Sequence, residues 1–276
     1  MEGVVASAES CMKVVILCGG KGTRLREETE YKPKALVTVG GRPLLWHIMK
    51  HYSHHGFKEF VLCLGYRGEM IREYFLKFEE LANDCTLTLR GNGSERISHH
   101  TPSNLEDWTI TFVDTGQETM TGSRIARVRS HLNPTEPFLW TYGDGVSDVD
   151  LGQLVAFHMT HGKTATITGM HQNSRFGILE TDGDRVTSFS EKPQLEGYIN
   201  GGYGVFSPKI FDYLNPEGDT VLEQTPLKSL AQQGQLAVFR HEGFFFAMDT
   251  YKDYEEINRL WEVGQRPWVV WPDVQR

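Results

Sequence analysis

The stretch CGGKGTRLREETEYKPKAL, Cys18 to Leu36, carries three glycines and five cationic side chains directly after the apolar run MKVVIL. Glycines let backbone N–H groups approach an anion closely. An arginine such as Arg24 supplies a planar two-pronged donor, and a lysine such as Lys34 a compact point charge. A phosphate chain needs this combination. The spacing is not that of the P-loop, which ends in Gly-Lys-Ser/Thr. It is not the GxGxxG of dinucleotide folds either, which argues against a dehydrogenase. Taken alone, the segment also fits a glycine-rich basic surface loop.

Other residues of suitable type follow. Asp144 lies in YGDG after the apolar run FLWT, where a carboxylate at a strand end suits Mg²⁺, although an Asp-Gly turn explains it too. Asp249 in AMDT, alone, reads equally as the cap of the next helix. Glu191 and Lys192 in SEKP, alone, read as an exposed charge pair at a strand end. His47, His51, His54 and His55 fall near one helical stripe without acidic companions, which argues against a metal there. The tandem His99 and His100 falls in a polar loop after GNGSER.

These residues need a frame. The runs MKVVILC (12–18) and FVLCLG (60–65) read as buried strands, and Pro43–His55 reads as a helix with Leu44, Leu45, Ile48, Met49 and Tyr52 on one face. Alternation continues through helix 67–78, strand 109–114, helix 122–132, strand 138–145 and helix 150–161. That order predicts an α/β fold, a Rossmann-like and mostly parallel sheet flanked by helices. After about residue 163 short strands with turn signals follow, including a hairpin turn at TDGDR. They are expected to add antiparallel strands that extend the sheet, with helices near 220–233 and 252–262. In such a sheet, loops beyond the carboxyl ends of the strands form the ligand crevice. The segment after MKVVIL and the GDG turn both occupy that edge.

A chain of 276 residues with 39% hydrophobic content can bury a large core. Its formal net charge of −8 argues against nucleic-acid and anionic-membrane partners, so any cationic work is local. No apolar run approaches the roughly 20 residues of a membrane helix. Residues 1–11 have no basic start and no long apolar core, so they read as an N-terminal extension rather than a secretory signal. Cys11, Cys18, Cys63 and Cys85 lack CxxC spacing and read as buried free thiols of a reducing, cytoplasmic compartment, not as zinc ligands.

The pattern GGKGTRL followed by KPKAL, then GGRPLLWHIM, YGDGVSD, FSEKP, INGGYGVF and FFFAMDT in that order, resembles the sugar-phosphate nucleotidyltransferases from about Met12 to the C-terminus. Within that family, LLWHIMKHYSHHGFKEFVLCLGY, FVDTGQETMTGSRIARV and LWEVGQRPW are similar to the glucose-1-phosphate cytidylyltransferase branch. The chain departs from that branch at Ala35, at Ala247 and in the run Phe244–Phe246. The resemblance implies a nucleotidyltransferase fold in one domain, 12–276, with a nucleotide-binding half at 12–162 and an acceptor-binding half at 163–276. It implies transfer of a cytidylyl group from CTP to glucose 1-phosphate with Mg²⁺ as cofactor, in a homo-oligomer.

Residue by residue, the resemblance gives catalytic roles to Arg24, Lys34, Asp144 and Asp249, with Asp144 and Asp249 as metal ligands. It places Leu17, Gly19, Gly20, Gly22, Thr23, Thr119, Arg124 and Gly143 with Arg24 and Lys34 on the nucleotide. Glu191, Lys192, Asn200 and Gly201 fall on the acceptor. Two alternatives remain at this level: the same chemistry with another base or phosphate acceptor, and a catalytically silent nucleotide sensor. The silent sensor predicts loss of Arg24, Lys34, Asp144 or Asp249, and all four are present.

Overall fold

The computed structural model describes residues 12–89, 97–100, 106–171, 174 and 176–272. The N-terminal extension with Cys11, and the GNGSER stretch before His99, lie outside the described residues. Seven strands form the central sheet: β1 (Val14–Leu17), β2 (Glu59–Leu64), β3 (Thr109–Asp114), β4 (Phe138–Tyr142), β5 (Ala165–Met170), β6 (Ile199–Phe206) and β7 (Leu236–His241). Their order is β7-β5-β6-β4-β1-β2-β3. The helices that matter here are α1 (Leu44–His54), α2 (Gly68–Leu76), α3 (Thr121–Arg127), α4 (Leu151–His161), α5 (Thr225–Gln232) and α6 (Tyr251–Glu262). No helix among the described residues is long and apolar enough to cross a membrane.

β1 is buried along its whole length, which explains why MKVVIL shows no alternation of polar and apolar residues. Val14 and Ile16 pack with Phe60 and Leu62 against Leu44, Ile48 and Met49 of α1 and Leu151 and Leu154 of α4. Val15 packs on the other face with Val61, Phe138 and Trp140 against Ile125 of α3 and Leu227 and Leu230 of α5. Parallel pairing puts β1 between β2 and β4. The chain leaves β1 through α1 toward β2 and returns through α3 to β4 on the other side. The loops after β1 and β4 therefore diverge and open a crevice at the carboxyl edge.

The C-terminal half adds antiparallel strands, as expected, but not all of them extend the central sheet. Only β6 runs antiparallel, to both β4 and β5, whereas β5 and β7 run parallel to each other. β7, LAVFRH, is not foreseen from the sequence. It is a half-exposed edge strand, held in place by its parallel register on β5, Ala165 opposite Leu236. The TDGDR turn closes a hairpin of Ile178–Asp182 with Arg185–Ser190, but this ribbon stands apart from the central sheet. A second ribbon pairs Gly145–Ser147 with Phe245–Ala247. Helix boundaries also shift. Pro43 sits at the cap of α1, α3 ends at Arg127 before a 3₁₀ turn at Arg129–His131, and α5 spans only Thr225–Gln232. Cys18 and Cys63 are buried free thiols, but Cys85 is exposed.

The histidine stripe is structural. Nε2 of His47 donates to the Val39 carbonyl and Nε2 of His51 to the Val149 carbonyl, both at 2.9 Å. Their Nδ1 atoms are buried without a partner, so a proton there would be an uncompensated charge. Burial lowers His47 to about 4 and His51 to about 3, and it lowers His158, bonded to Thr166, to about 4. Each of these rings binds a proton more weakly folded than unfolded. The unfolded chain therefore gains protons first as pH falls, and the stability these rings contribute is whole above the unfolded value near 6.5 and declines below it. We predict a urea midpoint that falls steadily between pH 6.5 and about 4, with a shallower fall in His51→Gln. An unchanged slope in that variant would remove the assignment.

Candidate active site

The segment after β1 turns at Gly22, whose φ of +62° favours glycine and whose Cβ position lies 3.0 Å from Thr29 Cγ2. Thr29 Oγ1 donates to the Gly22 carbonyl at 2.8 Å and closes the turn. Gly20 has open space at its Cβ position, so its backbone faces the crevice. After β4, the Gly143 N–H donates to the Leu17 carbonyl at 3.0 Å, which stitches the GDG turn to the end of β1. The Met248 N–H donates to the Asp144 carbonyl at 2.9 Å, and the ribbon 145–147 with 245–247 brings AMDT beside GDG.

These links converge four charged side chains. Lys34 Nζ donates to Asp144 Oδ2 and to Asp249 Oδ1, each at 2.8 Å. Arg24 Nη1 lies 3.1 Å from Asp249 Oδ2, with the Arg24 side chain 70% exposed to the crevice. Lys34 is nearly buried. The helix-cap reading of Asp249 fails on this geometry. Thr250 caps α6 in a capping box with Asp253, which leaves the Asp249 carboxylate to the crevice. Asp144 likewise bonds across the crevice rather than within its own turn.

Arg24, Lys34, Asp144 and Asp249 line one cavity of about 210 Å³ together with Leu17, Gly20, Gly22, Thr23 and Gly143. Cys18 and Ala35 line it too, and the sequence did not single them out as site residues. Burial pushes the Cys18 thiol up to about 12, so it is not a nucleophile. An adjoining cavity shares Arg24, Asp144 and Asp249 and extends over Asn200, Gly201, Gly202, Tyr142, Tyr203, Phe245 and Ala247. The two carboxylates thus stand between two cavities. Tyr142 and Gly202 escaped the sequence reading, although Tyr142 adjoins GDG and Gly202 is the last residue of INGG. Phe245 and Ala247 belong to the departures noted there.

Other expected site residues lie elsewhere. Glu191 and Lys192 are exposed just past the hairpin, with their charges 3.7 Å apart, and neither lines the two cavities. Lys192 has a φ of +47°, a conformation that costs a lysine on the order of 1 kcal/mol and marks the position as unusual. Thr119 Oγ1 accepts from Arg127 Nη1 at 2.7 Å. Arg124 is buried behind the crevice. Its guanidinium donates to the carbonyls of Gly19, Leu64, Gly116 and Gln117 and to Thr115 Oγ1. A Cβ at Gly19 would meet it at 2.2 Å, so the glycine makes room for this clamp. The clamp joins the 18–24 segment to the 115–117 turn, and Lys21 pairs with Glu118 at 2.6 Å above it.

Among the described residues no group of three or more His, Cys, Asp or Glu side chains could hold a metal ion. Mg²⁺ takes one or two carboxylates alongside phosphate oxygens and water, and Asp144 and Asp249, which share one ammonium, are donors of that type. The donor set fits that ion.

A mostly parallel sheet with its switch point at β1, a glycine-rich cationic loop after β1 and a carboxylate pair opposite it suit a nucleotidyl-transfer enzyme. The family model "Nucleotidyl transferase" matches residues 13–274, and the chain belongs to that family. It is 48% identical over 260 residues to the probable glucose-1-phosphate cytidylyltransferase of Bacillus subtilis (strain 168), covering 94% of this chain and all of that protein. It is 47% identical over 261 residues to the glucose-1-phosphate cytidylyltransferase of Salmonella typhimurium, with the same coverage. The crystal structure of HddC from Yersinia pseudotuberculosis superposes with a TM-score of 0.66 at 24% identity, over 91% of this chain and 99% of that one. That likeness concerns the fold.

Arg124→Met removes the donors of five buried or half-buried acceptors. We predict a loss of about 3 kcal/mol in urea unfolding, with Arg124→Lys recovering only a minor part because an ammonium cannot span them. Stability within 1 kcal/mol of the parent, on the scale of ordinary surface changes, would contradict the clamp.

Proposed function

We propose that this chain transfers a cytidylyl group from CTP to glucose 1-phosphate, giving CDP-glucose and pyrophosphate. The observation that carries the reading is the convergence of Arg24, Lys34, Asp144 and Asp249 between two adjoining cavities. A phosphate oxygen of glucose 1-phosphate attacks the α-phosphorus of CTP, and the bond to the β-phosphate oxygen breaks as pyrophosphate leaves. Such a transfer needs two mutually repelling anions held in register and their growing charge neutralised, rather than covalent help.

The cavity beneath Gly20, Gly22 and Thr23 takes the triphosphate. Leu17 and Gly143 line it as well, and the turn at 115–117, which Arg124 ties to the Gly19 carbonyl, holds the base. Arg24, exposed and two-pronged, grips the departing pyrophosphate. Lys34 moves its ammonium from the carboxylates to the α-phosphate. Asp144 and Asp249 would hold Mg²⁺, which when bound neutralises charge on the α-phosphate. The acceptor enters beside Asn200 and Gly201, with Lys192 on its phosphate and Glu191 on its hydroxyls once the hairpin end closes over it. Exposed apolar side chains on and beside that hairpin, Phe176, Leu179 and Phe189, support a homo-oligomer in which they are covered.

Pyrophosphate release across a matrix of nucleoside triphosphates and sugar phosphates tests the assignment. We expect CTP with glucose 1-phosphate to exceed UTP or dTTP by about a hundredfold or more, because cytosine's exocyclic amine leaves a buried partner unmet when a carbonyl replaces it. Equal release from CTP and dTTP would remove the cytidylyl half. Turnover of CTP only with another phosphate would reject the sugar half.

Asp144→Asn and Asp249→Asn should each lower turnover by two or more orders of magnitude with little change in melting temperature. Near-normal turnover at limiting Mg²⁺ in either variant would remove that residue as a ligand. Arg24→Lys should recover only part of the activity lost in Arg24→Ala, since a point charge does not reproduce a two-pronged grip. Full recovery would mean that net charge alone matters there.

A further inference from the structure

On the acceptor side a chain of hydrogen bonds runs from the cavity wall to a carboxylate outside it. Tyr142, the last residue of β4, presents its ring to the cavity, and its hydroxyl donates to Glu223 Oε1. The other oxygen, Glu223 Oε2, accepts from Thr121 Oγ1 at 2.9 Å, and Thr121 is the first residue of α3. The Leu222 N–H donates to the same Thr121 oxygen at 2.9 Å, which fixes the segment that carries Glu223. Glu223 does not line either cavity of the crevice.

The direction of each bond can be read. A carboxylate only accepts, so Tyr142 and Thr121 must both donate to it. Burial first, then the Glu223 charge, pushes the Tyr142 phenol well above its usual value, so the proton stays on. On the other side, the Gly202 N–H donates to Asn200 Oδ1 at 3.0 Å. A backbone N–H cannot accept, so it is the Asn200 carbonyl that faces Gly202. Gly202, which has φ of +76°, makes room for the ring: a Cβ there would stand 2.5 Å from Tyr142 Cδ2.

We propose that Glu223 is a positioning residue that sets the polarity of the acceptor cavity wall through Tyr142. With the Tyr142 hydroxyl donating to the Glu223 carboxylate, the phenol oxygen is left to the cavity only as an acceptor. That wall reads a sugar hydroxyl as a donor of a hydrogen bond. The inference rests on the reading that this cavity takes the acceptor.

The test compares Glu223→Gln, Tyr142→Phe and the double variant with the parent in steady-state pyrophosphate release. A glutamine keeps the shape but donates as well as accepts, so it releases the direction of the chain. The expected result is a rise of about tenfold in KM for glucose 1-phosphate in each single variant, with KM for CTP and melting temperature near the parent's. The double variant should be no worse than the worse single, because both changes cut one chain. An unchanged KM for glucose 1-phosphate in either single variant overturns the proposal. So do equal rises for CTP and sugar phosphate, which indicate general loosening, and so do effects that multiply in the double variant. Should Glu223→Gln fail to fold, Tyr142→Phe alone still decides, since an unchanged sugar KM there removes the chain at its centre. Absence of parent turnover with CTP and glucose 1-phosphate, with turnover of another pair, would defeat the proposed substrates instead, and the variants are then read against that pair.

Discussion

Two carboxylates from distant parts of the chain share one ammonium, and the crevice is organised around that contact. Asp144 and Asp249 repel each other, so bringing them to one point needs a cation between them and a rigid frame behind them. The frame is the pairing of β1 with β4, the Gly143-to-Leu17 bond, and the ribbon that lays AMDT against GDG. The cation is Lys34, nearly buried. Its attraction to either carboxylate is stronger there than at the surface, and leaving either charge unpaired would be correspondingly costly. In the proposed reaction, a phosphate chain that draws Lys34 away would leave the carboxylate pair to a divalent cation, which would couple the two parts of the site.

A second buried cation does a different task. Arg124 spends its guanidinium on protein acceptors, four of them carbonyls from the loop after β1, the end of β2 and the turn after β3. Loops at the carboxyl ends of parallel strands have many unpaired carbonyls because no further ladder satisfies them. One planar donor with five N–H groups meets this need, and only glycine at 19 leaves room for it. Arg24 and Arg124 are thus the same residue type put to opposite uses. One is exposed to the crevice and the other consumed by the scaffold.

The acceptor side is less rigidly built. Tyr142, Glu223 and Thr121 form a polar chain, whereas Phe245 and Ala247 give an apolar wall from the short ribbon. Glu191 and Lys192 stand off from the cavity on the hairpin end, and a two-stranded ribbon outside the main sheet is the element with the fewest constraints on its position.

Local pattern alone determined the first half of the fold and the residue types of the site. Buried parallel strands leave long apolar runs, helices leave a stripe, and a glycine-rich cationic loop at a strand end suits an anion. Those signals marked β1, β2, α1, Arg24 and Lys34 without any coordinates. Tertiary structure alone decided the rest. β7 is a half-exposed edge strand whose place depends on pairing with β5, and strand direction in the second half depends on crossovers that leave no local trace. Whether Asp249 caps a helix or faces the crevice was settled by Thr250 and Asp253 taking the cap. The separation of Arg124 from Arg24 was settled by depth behind a loop. In each case the deciding partner is remote in the chain or comes from an element whose position is set by packing, and sequence spacing carries no record of such distances.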